Sequence, residues 1–174
     1  MKELVLRDGT AAMVWPLSPD DAMGLQEAYS HLSPESRYRR FLTAAPTLSK
    51  RVLHLLVDEV DGVDHVALVL VAFPDEEPEQ LVGVARMMRY PGCRTVADVA
   101  VTVSDTWHGR GVATALLTEL VEQRPAGVAE LLTEVACENK ASFAMLSRLG
   151  TVHTALTGSG VREVRVQLTA ALAA

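Results

Sequence analysis

One stretch limits what this chain can fold into more than any other: Asp98 to Val121, DVAVTVSDTWHGRGVATALLTELV. From Asp98 to Val103 small and β-branched apolar residues alternate, the pattern of a half-buried strand. Ser104 to His108 is a short polar connection. After Gly109-Arg110-Gly111, the residues Val112, Leu116 and Leu120 recur every fourth position and predict an amphipathic helix. The order is strand, glycine turn, helix.

That order has a chemical use. The first turn of a helix leaves backbone N–H groups unpaired and carries the positive end of the macrodipole, so it attracts phosphate. Glycines at 109 and 111 remove side chains that would hold a phosphate away from those amides, and they tolerate positive φ. Arg110 between them is placed for a charge-assisted contact. The common nucleotide loops do not fit: a Walker loop needs Lys after its last glycine, and a GxGxxG fingerprint needs glycine where this chain has Thr114.

The run His108-Gly109-Arg110-Gly111-Val112-Ala113 resembles the acyl-CoA pyrophosphate loop [QR]xxGx[GA] of the GNAT superfamily of N-acetyltransferases. Gly111 and Ala113 match, and His108 stands where Gln or Arg is usual. The resemblance implies an α/β (α+β) GNAT fold: a mixed, mostly antiparallel sheet of six to seven strands flanked by helices, with the family's fourth and fifth strands splayed. It implies that backbone groups of Val101 and Val103 pair with the pantetheine arm. Amides of Gly109, Gly111, Ala113 and Thr114 would then hold the pyrophosphate, beside His108 and Arg110. Asn139, after the next strand, is either a helix N-cap or a cofactor contact, and the two roles are compatible.

Along the rest of the chain, an apolar strand is predicted from Thr10 to Leu17. Helix starts follow at Ser18-Pro19, Ser33-Pro34 and near Ser49, the first with Asp21 at the capping-box position. The segment His65–Phe73, HVALVLVAF, predicts a buried strand, and Leu81–Tyr90 its antiparallel hairpin partner, with Gly83 marking a bulge or close backbone approach. A strand over Leu131–Cys137, a helix from Glu138 to Leu149 stopped by Gly150, and a last strand over Val161–Leu168 complete the pattern. The alanine-rich tail reads as frayed. The hairpin argues against a flavodoxin-like chain of repeated βα units.

The segment Leu32 to Phe41, LSPESRYRRF, resembles the corresponding stretch of bacterial Pat-type protein lysine acetyltransferases. Its Arg37, Arg39 and Arg40 read either as a solvated, salt-bridged helix face or as a docking surface for an acidic acceptor. The same enzymes carry a Glu base in a stretch similar to the one holding Asp98, which implies that Asp98 is the general base. The shorter arm would reach the acceptor through a water. The family's tyrosine acid falls at Leu146, so no general acid is found there.

A chain of 174 residues with 49% hydrophobic content supports one domain, 1–174. A net charge of −6 and the lack of a Lys/Arg block argue against nucleic acid. No segment has the apolar length of a membrane span or signal peptide, so a cytoplasmic protein without membrane association is expected. Cys93 and Cys137 lack metal-ligand spacing; no metal is expected, and both read as free thiols. The sequence therefore predicts transfer of an acetyl group from acetyl-CoA to a primary amine, on a protein lysine or a small molecule. The alternative is a degenerate acyl-CoA-binding sensor. An exposed sheet edge near the C-terminus leaves monomer and homodimer both open.

Overall fold

The computed structural model describes residues 1–41, 47–158 and 160–169. Eight strands form one sheet: β1 (Lys2–Val5), β2 (Ala11–Pro16), β3 (His65–Phe73), β4 (Gln80–Arg89), β5 (Val96–Val103), β6 (Glu130–Ala136), β7 (Gly150–Gly158) and β8 (Val161–Leu168), in spatial order β1-β2-β3-β4-β5-β6-β8-β7. Every neighbouring pair is antiparallel except β5 and β6. The helices are α1 (Ala22–Ser30), α2 (Pro34–Phe41), α3 (Lys50–Val57), α4 (Val112–Glu122) and α5 (Lys140–Leu146).

Two cores sandwich the sheet. On one face α4 buries Val112, Leu116, Leu117 and Leu120 against β3, β4 and β5. On the other, Leu25, Tyr29 and Val57 of α1 and α3 pack on Ala67, Val69 and Val84. Covered on both sides, β3 is buried along nearly its whole length, which is why its sequence is continuously apolar.

Gly83 is where α4 touches the sheet. The register of β3 and β4 shifts between Leu70 and Val71, opposite Gly83 and Leu81, so the predicted bulge is present. The predicted close approach is present too. A Cβ at position 83 would lie 2.7 Å from Val112 Cγ1 and 2.8 Å from Leu116 Cδ1.

The expected six to seven strands are eight, because β1 and β7 were not foreseen. Both are edge strands that bury almost nothing, so no apolar alternation betrays them. The predicted helix over 138–149 is shorter, Lys140–Leu146, and Gly150 opens β7 instead of stopping a helix. Space is the reason: a Cβ there would lie 1.8 Å from the Gln167 carbonyl oxygen. The alanine tail from 170 onward lies outside the described residues.

Candidate active site

The one parallel pairing creates the site. β5 and β6 share only two register pairs, Val96 with Glu130 and Ala97 with Leu131. Beyond them the Thr133 hydroxyl donates to the Val99 carbonyl at 3.1 Å, a side chain standing in for the next ladder bond. Past that point the strands separate, and Val101 and Val103 have no partner on β6. With β1 added at the N-terminal edge, the family's splayed fourth and fifth strands are β5 and β6 here.

The opening is a groove of about 360 Å³. Val101, Val103, His108, Gly109, Gly111, Ala113, Thr114 and Asn139, all named from the sequence, line it together. Gly109 and Gly111 take φ of 78° and 95°, in the left-handed region that favours glycine. Gly111 is the N-cap of α4 and no side chain caps it, so the first amides of the helix are left for an incoming anion.

The side chains around this turn do not all do what the sequence suggests. Arg110 is absent from the groove lining; its guanidinium pairs with Asp8 at 3.1 Å and stacks over Trp107 at 4.5 Å. In this arrangement Asp8, rather than the groove, holds the guanidinium that the sequence suggests for pyrophosphate. His108 lines the groove but turns Nε2 to the Val103 carbonyl at 3.1 Å, bracing the connection. Asn139 is 8% exposed, and its Oδ1 accepts from the Ser142 amide at 3.2 Å. The cap role is thus realised in a residue that also faces the groove.

Four arginines line the groove: Arg39 and Arg40 of the basic stretch singled out in the sequence, and Arg7 and Arg148, which were not singled out. Arg7 arrives from the turn after β1, its amide bonded to the Arg110 carbonyl at 3.0 Å. No local signal marks it, because its place depends on an edge strand that pairs over a hundred positions away from the loop it serves.

The basic stretch of α2 carries an exposed salt bridge, as a solvated helix face would, together with contacts that hold the helix in place. Arg37 donates to the Ser30 carbonyl at 2.8 Å and lies over the Tyr29 ring, while Arg39 pairs with Glu35 one turn earlier. Asp105 accepts from the Ser33 amide at 2.7 Å and from the Ser36 hydroxyl, which ties α2 above β5. Arg40 is thereby carried to the border of four adjoining cavities, including the groove.

Asp98 does not line the groove. It lies in an adjoining cavity of about 380 Å³ with Arg40, Tyr90, Leu132, Thr133, Glu134 and Glu163. Burial pushes its carboxyl above the usual carboxylate range; the Thr133 hydroxyl and the Arg40 charge pull the other way, and Glu134 reinforces the rise. Tyr90, its hydroxyl donated to the Leu132 carbonyl at 3.2 Å, is raised by burial and then by Asp98, Glu134 and Glu163. Leu146, the position of the missing acid, is 3% exposed and belongs to the core. Among the described residues no cluster of His, Cys, Asp and Glu could hold a metal, and no helix is long and apolar enough to cross a membrane.

A splayed parallel pair, with an uncapped helix N-terminus behind a two-glycine turn, is the arrangement that the resemblance to the N-acetyltransferases implies. The chain belongs to the GNAT acetyltransferase family: residues 13–152 match the Acetyltransferase (GNAT) domain. It is 31% identical over 149 residues to acetyltransferase Pat of Mycolicibacterium smegmatis, covering 84% of this chain and 43% of that protein. The chain thus spans less than half the length of that relative. The GNAT domain of S. lividans PAT superposes with a TM-score of 0.81 at 30% identity, over 96% of both chains. A Salmonella typhimurium acetyltransferase solved with acetyl-CoA shares the fold, with a TM-score of 0.69 at 19% identity over 93% of this chain and 96% of that one.

Proposed function

We propose that this acetyltransferase carries an acetyl group from acetyl-CoA to a primary amine, a protein lysine or a small molecule, by direct attack. The single observation behind this reading is the groove: an unpaired β5 edge at Val101 and Val103 leads straight to the open amides of α4. A pantetheine arm can pair with the first as an added strand, and a pyrophosphate can accept from the second.

In the reaction the deprotonated amine attacks the thioester carbonyl, a C–N bond forms, and the C–S bond breaks. Asp98 takes the proton from the ammonium, through one water, because its cavity adjoins the groove across Arg40. An amide at Val101 polarises the carbonyl as negative charge builds on its oxygen. As the C–S bond breaks, the nitrogen gives up its extra proton to solvent, and the departing CoA thiolate takes one from solvent, since Leu146 is buried and offers no acid.

One observation favours the sensor reading instead, namely that Asp98 stands outside the groove. Thermal unfolding with acetyl-CoA and NAD, together with acetylation assays on the parent and Asp98→Asn, separates the readings. The enzyme predicts a shift with acetyl-CoA alone and acetylation that Asp98→Asn abolishes. A shift without acetylation of any amine supports the sensor.

A further inference from the structure

Arg86 sits in the middle of β4, only 9% exposed, on the face covered by α1 and α3. Both of its hydrogen bonds leave from Nη1: one to the Leu56 carbonyl at 3.0 Å, the other to His65 Nε2 at 3.3 Å. His65 Nδ1 lies 3.1 Å from the Glu59 carbonyl and donates to it, so Nε2 is the acceptor and the ring is neutral. No carboxylate among the described residues pairs with Arg86. Arg40 stands close enough that, after burial itself, its charge helps bring Arg86 down to about 9. Asp98 acts on Arg40 and not on Arg86.

A buried cation without a counter-ion is costly, and a carboxylate or phosphate is what removes the cost. Space for one exists. Arg40 and Arg86 border a pocket whose other walls include Leu25, Leu32, Leu48 and Val84. The pocket holds 40 Å³ of room for the centre of a water-sized sphere. At roughly 10–15 Å³ per such group, that admits about three, the heavy atoms of a carboxylate. A phosphate, with its larger head and higher charge, fits these apolar walls poorly. The pocket also meets the acyl-CoA groove, since Arg40 and Thr102 line both.

We propose that Arg86, with Arg40, forms the anion end of a second ligand site that accepts a carboxylate on a short aliphatic chain, beside the place where the acyl group is transferred. The free Nε and Nη2 edge of Arg86 can hold the two carboxylate oxygens in the paired geometry that guanidinium favours. This inference rests on the groove being an acyl-CoA site. The carboxylate then comes either on the acyl group of the donor, as in a dicarboxylic acyl thioester, or on the acceptor, as in a free amino acid.

The test is thermal unfolding of the full chain with acetyl-CoA, succinyl-CoA, leucine plus CoA, and leucinamide plus CoA, in the parent, Arg86→Gln and Arg86→Lys. Succinyl-CoA binding at least tenfold tighter than acetyl-CoA assigns the carboxylate to the donor. Leucine binding at least tenfold tighter than leucinamide assigns it to the acceptor. In either case Arg86→Gln erases the preference. Should that variant fail to fold, Arg86→Lys is read instead, with a preference reduced but of the same sign. Equal shifts for each pair in the parent overturn the proposal while leaving the acetyl-CoA reading standing, as does a preference that survives Arg86→Gln. No shift with any CoA compound removes the underlying reading as well.

Discussion

The Thr133 hydroxyl lies 3.1 Å from the Val99 carbonyl, at the step where β5 and β6 cease to pair. The hydroxyl gives its proton to the Val99 carbonyl, and its presence beside Asp98 also favours that carboxyl's ionised form. The side chain that marks the opening of the groove therefore also governs the candidate base. Thr133→Val keeps the shape and removes the proton. It leaves a carbonyl without its donor, so a loss of about 1–3 kcal/mol is expected in denaturant unfolding. The acid limb of the pH–rate profile should rise at the same time, because a donor that favoured ionised Asp98 is gone.

Asp98→Asn should lower acetyl transfer by about 10²–10⁴-fold while the acetyl-CoA-induced rise in Tm remains. In the parent, activity requires the ionised carboxylate, so it falls as pH drops through a midpoint above the ordinary carboxylate range. Arg40→Gln removes the cation facing Asp98 and leaves Glu134, so that midpoint should move up. Stability runs the other way. Since the folded state holds the Asp98 proton more tightly than the unfolded chain, this carboxyl favours folding at low pH, and the benefit is lost as pH rises through its folded pKa. Asp98→Asn should therefore raise Tm at neutral pH, with the gain vanishing in acid.

Arg7 lines the groove, and Arg110 of the loop does not. Arg110→Ala removes a partly exposed, solvent-screened pair with Asp8 and should leave the acetyl-CoA dissociation constant nearly unchanged. Arg7→Ala removes a groove cation and should weaken acetyl-CoA binding about tenfold, with the difference shrinking as salt is added. Isothermal titration at two ionic strengths decides between them; a larger loss in Arg110→Ala would restore the loop arginine to the phosphate site.

What could be read from the sequence were features carried by neighbouring residues. The turn at Gly109 and Gly111, the stripe on α4, the buried β3 and the double role of Gly83 each follow from a local pattern with a physical cause. β1 and β7 carry no such pattern, because an exposed edge strand needs only backbone partners. Apart from Asn139, the groove residues found in advance lie on one strand and on the loop and helix start that follow it. Arg7 and Arg148, which line the groove, and Arg86, which lines the pocket beside it, come from other elements and meet only through tertiary packing. Arg86 is the hardest to foresee, since a lone arginine between Ala85 and Met87 reads as an outward-facing strand position. The sheet instead turns it under α1 and α3, in register with Ala67 and Ala100.

Gly83 offers the most direct test of how the sheet positions the helix that meets the anion. Its Cβ-less backbone lets Val112 and Leu116 approach β4, and Val112 is the first residue of α4. Gly83→Ala puts a methyl group 2.7 Å from Val112 Cγ1, closer than packed carbons come, with Leu116 blocking the other direction. The helix must lift or tilt at its N-terminal turn. Overpacking of this kind costs about 1–3 kcal/mol, seen as a lower Tm. Because the displaced turn carries the open amides, acetyl-CoA affinity should fall as well, by about tenfold or more, though residue 83 faces the core and touches no part of the groove. A variant that lost stability yet bound acetyl-CoA as the parent does would mean that the helix start is held by the glycine turn alone.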